Sequence, residues 1–514
     1  MPTLSLRFLA DSSPRASRRS GLLEAILIVV GALGVALFIL IPTAAVAVVA
    51  ACSALWCLVL VSRAFSGKPE GLVLWWAAFF PLGYFALFPR EHSIVTMERI
   101  VIFAAFVGLL FGRSHKLTIV PKDLRRTGYA CFILFFVAGM GLLHLPEFLN
   151  SARTLFDSFA VPALLAWIVI TLFDVRGRLT GIHTAVCVSS VISAAIAAGE
   201  MIFVQDFLPV GNSEMFYAGG IPRPNGPFAS NDALALIGGF SLFFLLYLRT
   251  ALGPGITFRR RILHYIGVAA ALGMALMPMF RSVALTLLLV LVIDTFWEKR
   301  TTGRIWRFSL ICVSVGLLFL LPLLVPRSVM EDRGSAENLY GRVAQLKQSF
   351  RVFGEHPWFG VGFSNFHEYV TGEPRYVASY EGIISLDWPH DNLLEMLTET
   401  GIIGFVPYVL IHVFLFRAMW NLRRLSESGR LAWRFFVYLF LTYWITGLTE
   451  SSGIGFANIW YAFVIIVSYK YVLTSPDLHR PPEASAAEEP VAHDRLALDR
   501  GFQPVFQESN KNHF

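Results

Sequence analysis

The run Trp388-Pro389-His390-Asp391-Asn392, leading on to Glu399-Thr400-Gly401-Ile402-Ile403-Gly404, decides how this chain is read. It ends a polar segment that begins near residue 326 and lies between long apolar runs. Asn392 to Glu399 has helical character. Asp391 or Asn392 suits its N-cap, because a short polar side chain accepts from the first free amides of a helix. His390 then stands at the doorway of that helix, at the outer edge of an apolar run. Residues 326–391 form the one polar segment long enough to fold into something of its own. Almost everything else reads as membrane helix.

Composition supports that division. The chain has 514 residues, 56% of them hydrophobic and 15% charged, with mean hydropathy +0.62. Soluble domains carry about 25% charged residues. Apolar runs of about 20 residues match the length that crosses a ~30 Å hydrocarbon core. Candidate spans centre on 22–41, 43–62, 71–89, 98–112, 129–146, 158–173, 181–203, 230–248, 262–279, 282–297, 305–325, 401–420, 432–449 and 456–473. The expected fold is therefore all-α, a polytopic integral membrane protein with about 12–14 transmembrane helices and a long outer loop.

The formal charge of +7 fits basic inner loops better than a nucleic-acid partner. Alternate loops carry Arg63 and Lys68, then Arg113, Lys116, Lys122, Arg125 and Arg126, then Arg176 and Arg178. The pattern continues with Arg249 and Arg259 to Arg261, with Lys299, Arg300, Arg304 and Arg307, and with Arg417, Arg423, Arg424, Arg430 and Arg434. The positive-inside rule then places both termini in the cytoplasm. The expected organisation is a basic N-terminus at 1–20, helices over 21–325 with an outer loop at 204–229, the long outer loop at 326–391, helices over 392–473, and a disordered cytoplasmic tail at 474–514. Arg7, Arg15, Arg18 and Arg19 precede an apolar run without a small-residue cleavage site, which reads as an uncleaved first span. Cys52, Cys57, Cys131, Cys187 and Cys312 all fall in apolar runs and read as small buried hydrophobes.

Inside the long loop, Asn338 to Phe353 reads as an amphipathic helix. Leu339, Val343, Leu346, Phe350 and Phe353 follow one helical face, with Arg342, Gln345, Lys347, Gln348 and Arg351 on the remainder. Such a helix lies on a membrane surface or roofs a cavity. Pro357 ends it, and Gly360-Val361-Gly362 supplies a permissive turn.

Four residues are candidates for chemistry. His390 fits either a general base, since imidazole titrates near neutrality, or an interfacial residue with no chemistry. Arg223 sits in Ile221-Pro222-Arg223-Pro224-Asn225-Gly226-Pro227, a stiffened loop around one guanidinium. It suits either a phosphate fork or a headgroup contact. Arg342 reads as a solvated arginine of the roof helix, and Arg281 as an interfacial anchor or an anion site. Three outward arginines and a histidine would suit a lipid-linked phosphate donor. Glu200 and Asp294 lie near span ends, where such residues pair or reach the interface. Glu395 and Glu399 share a helix face, and Glu450 lies in an outer turn. The sequence holds no phosphate-binding glycine loop, no zinc spacing and no outer pair of aspartates. A metal-free mechanism without a cofactor is expected.

The blocks Asn338-Leu339-Tyr340-Gly341-Arg342, His356-Pro357-Trp358-Phe359-Gly360-Val361-Gly362-Phe363-Ser364-Asn365-Phe366 and His390 through Gly404 together resemble the O-antigen ligase and polymerase superfamily of bacterial membrane glycosyltransferases. The family's ligase signature is a histidine, a small polar residue, nine residues, then Gly-x-x-Gly. Here it reads His390, Asp391, Asn392 to Thr400, Gly401, Ile402-Ile403, Gly404, with Asp391 departing from the usual Asn, Ser or Gln. Arg223-Pro224-Asn225-Gly226-Pro227-Phe228 with Asn231 looks like the family's arginine-bearing periplasmic loop. The resemblance covers roughly residues 220–420.

It implies metal-independent glycosyl transfer at the periplasmic face of the inner membrane. The donor would be a glycan on undecaprenyl diphosphate, and the acceptor a glycan or lipid A core. His390 would be the base and Arg223 and Arg342 the diphosphate ligands; Arg281 is added on the reading of the residues alone. A ligase-like transfer is the first expectation. A repeat-unit polymerase of O-antigen, exopolysaccharide or capsule uses similar residues and differs in acceptor. A lipid or polysaccharide transporter is the rival from another class, disfavoured because the spans are poor in central charges. Membrane lipids are expected partners and nucleic acid is not.

Overall fold

The computed structural model describes residues 70–86, 96–111, 120–143, 145, 147–207, 216–218, 221–228, 230–253, 256–297, 305, 308, 312, 336–385, 389–449 and 455–475. The spans expected at 22–41, 43–62 and 305–325, together with Cys52, Cys57, Glu450 and the tail, lie outside these residues or almost wholly so. The described part is helical with two small hairpins, an all-α membrane protein. Its helices are α1 (Glu70–Phe79), α2 (Met97–Phe111), α3 (Lys122–Leu142), α4 (Phe148–Leu172), α5 (Leu179–Phe203), α6 (Asn231–Ala251), α7 (Phe258–Leu276) and α8 (Arg281–Trp297). They continue with α9 (Ala336–Glu355), α10 (Phe366–Gly372), α11 (Asn392–Leu422), α12 (Glu427–Gly447) and α13 (Gly455–Leu473). Among the described residues α4, α5, α6 and α11 are each long and apolar enough to cross a membrane.

Helix starts are set by local chemistry. Ser230, Asp391 and Ser426 are the N-caps of α6, α11 and α12 and accept from backbone amides one turn in. α6 is the central helix. Its apolar residues are buried almost all round, and α5, α7, α12 and α13 pack on it. Small residues let the backbones meet. A β-carbon on Gly238 would stand 2.6 Å from the amide nitrogen of Ala275 on α7. Buried polar groups tie the packing together, as where Trp460 donates to Ser241 at 3.0 Å. Asp294 pairs with Arg434 and Tyr438, in line with the expectation for an acid near a span end.

The two ends of the bundle differ. At one end α3 begins and α11 finishes, and Asn421 donates to Asp123 there at 2.8 Å. Arg176, Arg249, Arg423 and Arg434 belong to that end. At the other end α6, α11 and α13 begin and α12 finishes. The hairpin β1 (Phe216–Ala218)–β2 (Ile221–Arg223) and the polar assembly of α9, α10 and the hairpin β3 (Ser379–Tyr380)–β4 (Ile383–Ile384) sit there.

α9 covers the expected amphipathic stretch. It ends at Glu355, as His356-Pro357 requires. Its apolar stripe, however, faces outward: Leu339 is 62% exposed and Phe350 53%. The face turned to the protein carries Ala344, Gln345, Gln348, Ser349 and Val352, all buried. An inward apolar face is expected where water bathes the outer one. That rule lapses beside a bilayer, where an outward apolar stripe costs nothing.

Candidate functional site

The local fold around His390 is built on an interruption. α11 runs from Asn392 to Leu422, but Gly401 has φ 61° and ψ −172°, far from helical values. A straight helix would join the Ile402 amide to the Thr398 carbonyl and the Ile403 amide to the Glu399 carbonyl. The segment 357–362 takes the place of both bonds. Ile402 donates to the Pro357 carbonyl at 2.9 Å and Ile403 to that of Trp358 at 3.2 Å. In return Val361 donates to the Thr398 carbonyl at 3.0 Å and Gly362 to that of Glu399 at 2.9 Å. These four backbone groups are all paired across the break, as buried backbone requires.

Glycines on both sides make this splice sterically possible. A β-carbon on Gly401 would lie 2.3 Å from the carbonyl carbon of Trp358, and one on Gly360 2.3 Å from that of Glu399. Gly360 has φ +67° and Gly362 +101°, left-handed values that glycine adopts without strain. Glu399 completes the joint. Its buried carboxylate accepts from the amides of Ser364 at 2.7 Å and Phe366 at 3.2 Å, fixing the start of α10.

The splice separates Asn392–Thr400 from the spanning part of the helix. Ile402 to Leu422 alone, at about 1.5 Å per residue, extends about 31 Å, enough for a ~30 Å hydrocarbon core. Exposed Trp358 and Phe359 sit beside exposed Ile402 and Ile403 at the head of that span. Aromatic rings there mark a membrane–water boundary.

His390 precedes the N-cap. Asp391 accepts from the amides of Leu393 at 2.8 Å and Leu394 at 3.1 Å. The histidine itself is half-buried with φ 44°, in the left-handed region. That conformation costs a residue with a β-carbon about 1–2 kcal/mol, and such residues persist where the surroundings fix them. Asn392, two residues on, lines a cavity of about 70 Å³ with Thr154, Ser158, Phe363, Glu395 and Tyr443, among others.

The arginines fall into two groups. Arg342 of α9 donates to the Thr449 carbonyl at 2.8 Å, just past the end of α12. Gly447 there lies against the Asn392 side chain, with only 2.9 Å between a β-carbon at Gly447 and Asn392 Nδ2. Arg342 is thereby brought to the corner where His390 stands. Arg223 and Arg281 share a different turn: Arg223 donates through Nε to the Pro278 carbonyl at 2.9 Å and through a terminal nitrogen to Asn231 Oδ1 at 3.3 Å. Arg281 opens α8 three residues after Pro278 and is exposed. Both groups occupy the end of the bundle where α6 and α11 begin.

Little in the linear pattern points to what holds these groups. Glu200, at the end of α5, accepts from the Gly226 amide at 2.6 Å and the Phe207 amide at 3.4 Å. It thereby anchors the proline-rich loop that carries Arg223. Glu200→Ala is expected to lower stability by about 1–3 kcal/mol through the two amides left unpaired. A melting curve in detergent checks this, and an unchanged midpoint would remove Glu200 as the anchor. Under α9, both amide atoms of Gln345, Oε1 of Gln348 and Oγ of Ser349 are buried without a hydrogen-bond partner among the described residues. Such groups each cost about 1–3 kcal/mol.

No curated protein matches the chain. A family profile does: residues 230–409, from the start of α6 into the span of α11, match the family described as O-antigen ligase. The matched stretch holds α9, the splice, His390, Arg342 and Arg281, while Arg223 lies just outside it. Residues 230–409 of the chain are thus similar to the O-antigen ligase family.

Proposed function

We propose that this protein transfers a glycan from undecaprenyl diphosphate to an acceptor hydroxyl at the periplasmic face of a bacterial inner membrane. The observation that carries the reading is the presentation of His390. It is held in a strained backbone conformation just before the N-cap of α11, in the corner that Arg342 reaches and within the O-antigen ligase match. The abundance of arginine at the opposite end supports a cytoplasmic assignment for that end and for both termini.

In this reading His390 takes the proton from the acceptor hydroxyl as its oxygen attacks the anomeric carbon. A carbon–oxygen bond forms to the acceptor, and the anomeric carbon–oxygen bond to phosphate breaks. The electron pair leaves on the diphosphate. That leaving group needs charge stabilisation more than protonation, and fixed guanidiniums near Arg223 and Arg281 and at Arg342 supply it. The chain's own residues provide base and counter-charge, so the scheme needs no metal or cofactor.

The ligase-like reading is tested by glycan profiling of a deletion strain carrying wild type or Arg223→Ala, at equal membrane expression. Wild type restores the long surface glycan. The variant lowers transfer about 10²-fold and accumulates lipid-linked precursor. Long precursor chains assign the ligase reaction, and single repeats assign a polymerase. Full complementation by the variant removes Arg223 from the donor site.

A further inference from the structure

We propose that the inward face of α9 is a saccharide-binding wall, on which Gln345, Gln348 and Ser349 hydrogen-bond sugar hydroxyls held between α9 and the first turns of α11. The inference rests on the transferase reading and extends it to residues outside the base and the arginines.

The face has an unusual make-up. Gly341, Ala344, Gln345, Gln348, Ser349 and Val352 recur at helical spacing and are all buried. Gln345 and Gln348 are each 1% exposed and Ser349 0%. A helix that needed only to pack there would carry aliphatic residues, and α9 has them, on its other side. Instead four polar side-chain atoms on the buried face have no hydrogen-bond partner among the described residues. Buried polar groups without partners point to a partner not yet in place.

The chemistry of those atoms selects the ligand class. A carboxamide donates and accepts, and so does a hydroxyl. A sugar hydroxyl does both as well, so amide and serine side chains match it without a net charge. Phosphate would call for guanidinium or ammonium groups, but Arg342, Lys347 and Arg351 are exposed and off this face. A lipid chain would call for an apolar lining.

Its position is set by contacts at both ends of α9. Near the start, Arg342 reaches Thr449, two residues beyond Gly447, which touches Asn392. Past the end, Val361 bonds the carbonyl of Thr398. α9 therefore lies beside α11, near the first turns that follow His390. Polar side-chain ties from α9 to neighbouring carbonyls among the described residues, such as Arg342 to Thr449 and Arg351 to Arg375, are exposed. Sugar binding requires α9 to part from its neighbours by releasing such contacts.

The test uses the full-length protein in phospholipid nanodiscs. The probe is the oligosaccharide released by mild acid from the strain's own surface polysaccharide. In wild type, the probe is expected to raise the melting midpoint by a few degrees and to slow hydrogen exchange across residues 341–352. Gln345→Leu/Gln348→Met is expected to melt above wild type without probe, because buried unpaired amides are removed. It is also expected to lose the probe-induced shift, and its KM for the saccharide substrate is expected to rise about tenfold, with kcat changed less than about threefold. A variant that melts below wild type, or that keeps the full probe shift, overturns the proposal. Should the variant fail to fold, wild-type exchange decides: unchanged protection over 341–352 also overturns it. These binding arms need no turnover. Probe-dependent protection in a protein without transferase activity would sink the transferase reading and leave the wall standing.

Discussion

His390→Asn is expected to lower the transfer rate about 10²–10⁴-fold while the melting midpoint changes little. The size follows from loss of a general base positioned on the reacting proton. The choice of asparagine follows from the backbone. His390 sits at φ 44°, and asparagine is among the residues that enter this region most readily. Alanine would add the loss of the imidazole to a change in left-handed strain, and the two effects could not be separated. His390→Gly is the companion variant: it relieves the strain, lacks the base, and should be equally inactive. The measurement is product formation by purified protein from a lipid-linked glycan, with melting curves alongside. Transfer within about threefold of wild type in His390→Asn would exclude His390 as the base, and the transporter reading would gain accordingly.

Gly401→Ala is expected to cost about 4 kcal/mol or more and to yield little folded protein. Two penalties coincide. The backbone at φ 61° and ψ −172° is a region almost confined to glycine. The added methyl would also meet backbone atoms of Trp358 at 2.3 Å and of Phe359 at 2.5 Å, which cannot rotate away. Gly404, the second glycine of the same Gly-x-x-Gly, provides the contrast. A methyl there meets the Thr400 side chain at 2.4 Å, and its φ is not left-handed. The nearest atom is the Thr400 β-carbon, which no rotamer change moves, but the left-handed backbone penalty is absent, so Gly404→Ala should cost less than Gly401→Ala, by about 1–2 kcal/mol. Equal midpoints for the two variants, measured in the same detergent, would remove the splice as the reason for glycine at 401.

The membrane helices are legible in the sequence because an apolar run of spanning length is too long and too uniformly greasy for a water-facing helix. The described helices α5 to α8, α12 and α13 fall close to the expected spans. The helix stop at Pro357 and the cap at Asp391 are legible because each depends on one or two adjacent residues. The break in α11 is not. Its cause lies about forty residues earlier in the chain, in a segment whose backbone replaces two helical bonds, and linear spacing carries no trace of that exchange. Nor does spacing show which side of an amphipathic helix is solvent. The stripe from Leu339 to Phe353 is periodic as expected, but periodicity says only that two faces differ. At the candidate site, His390 and the four-residue glycine pattern stand out by resemblance, whereas Glu200 and Glu399 are single acids whose importance comes from amides distant in sequence.

The splice also has a mechanical meaning. Across Gly401 the two parts of α11 share covalent backbone but not the hydrogen bonds that make a helix stiff. Both parts are bonded instead to the segment that follows α9, the span at residues 357 and 358 and the part bearing His390 at residues 361 and 362. Bilayers differ in thickness, and a span adjusts by tilting. In an unbroken helix of 31 residues, a tilt at the inner end would swing the outer end through a proportionate arc. Here part of the arc is taken up at Gly401, and the part bearing His390 keeps its bonds to residues 361 and 362. On the proposed function, the geometry around His390 is thereby less sensitive to the lipid composition of the membrane around it.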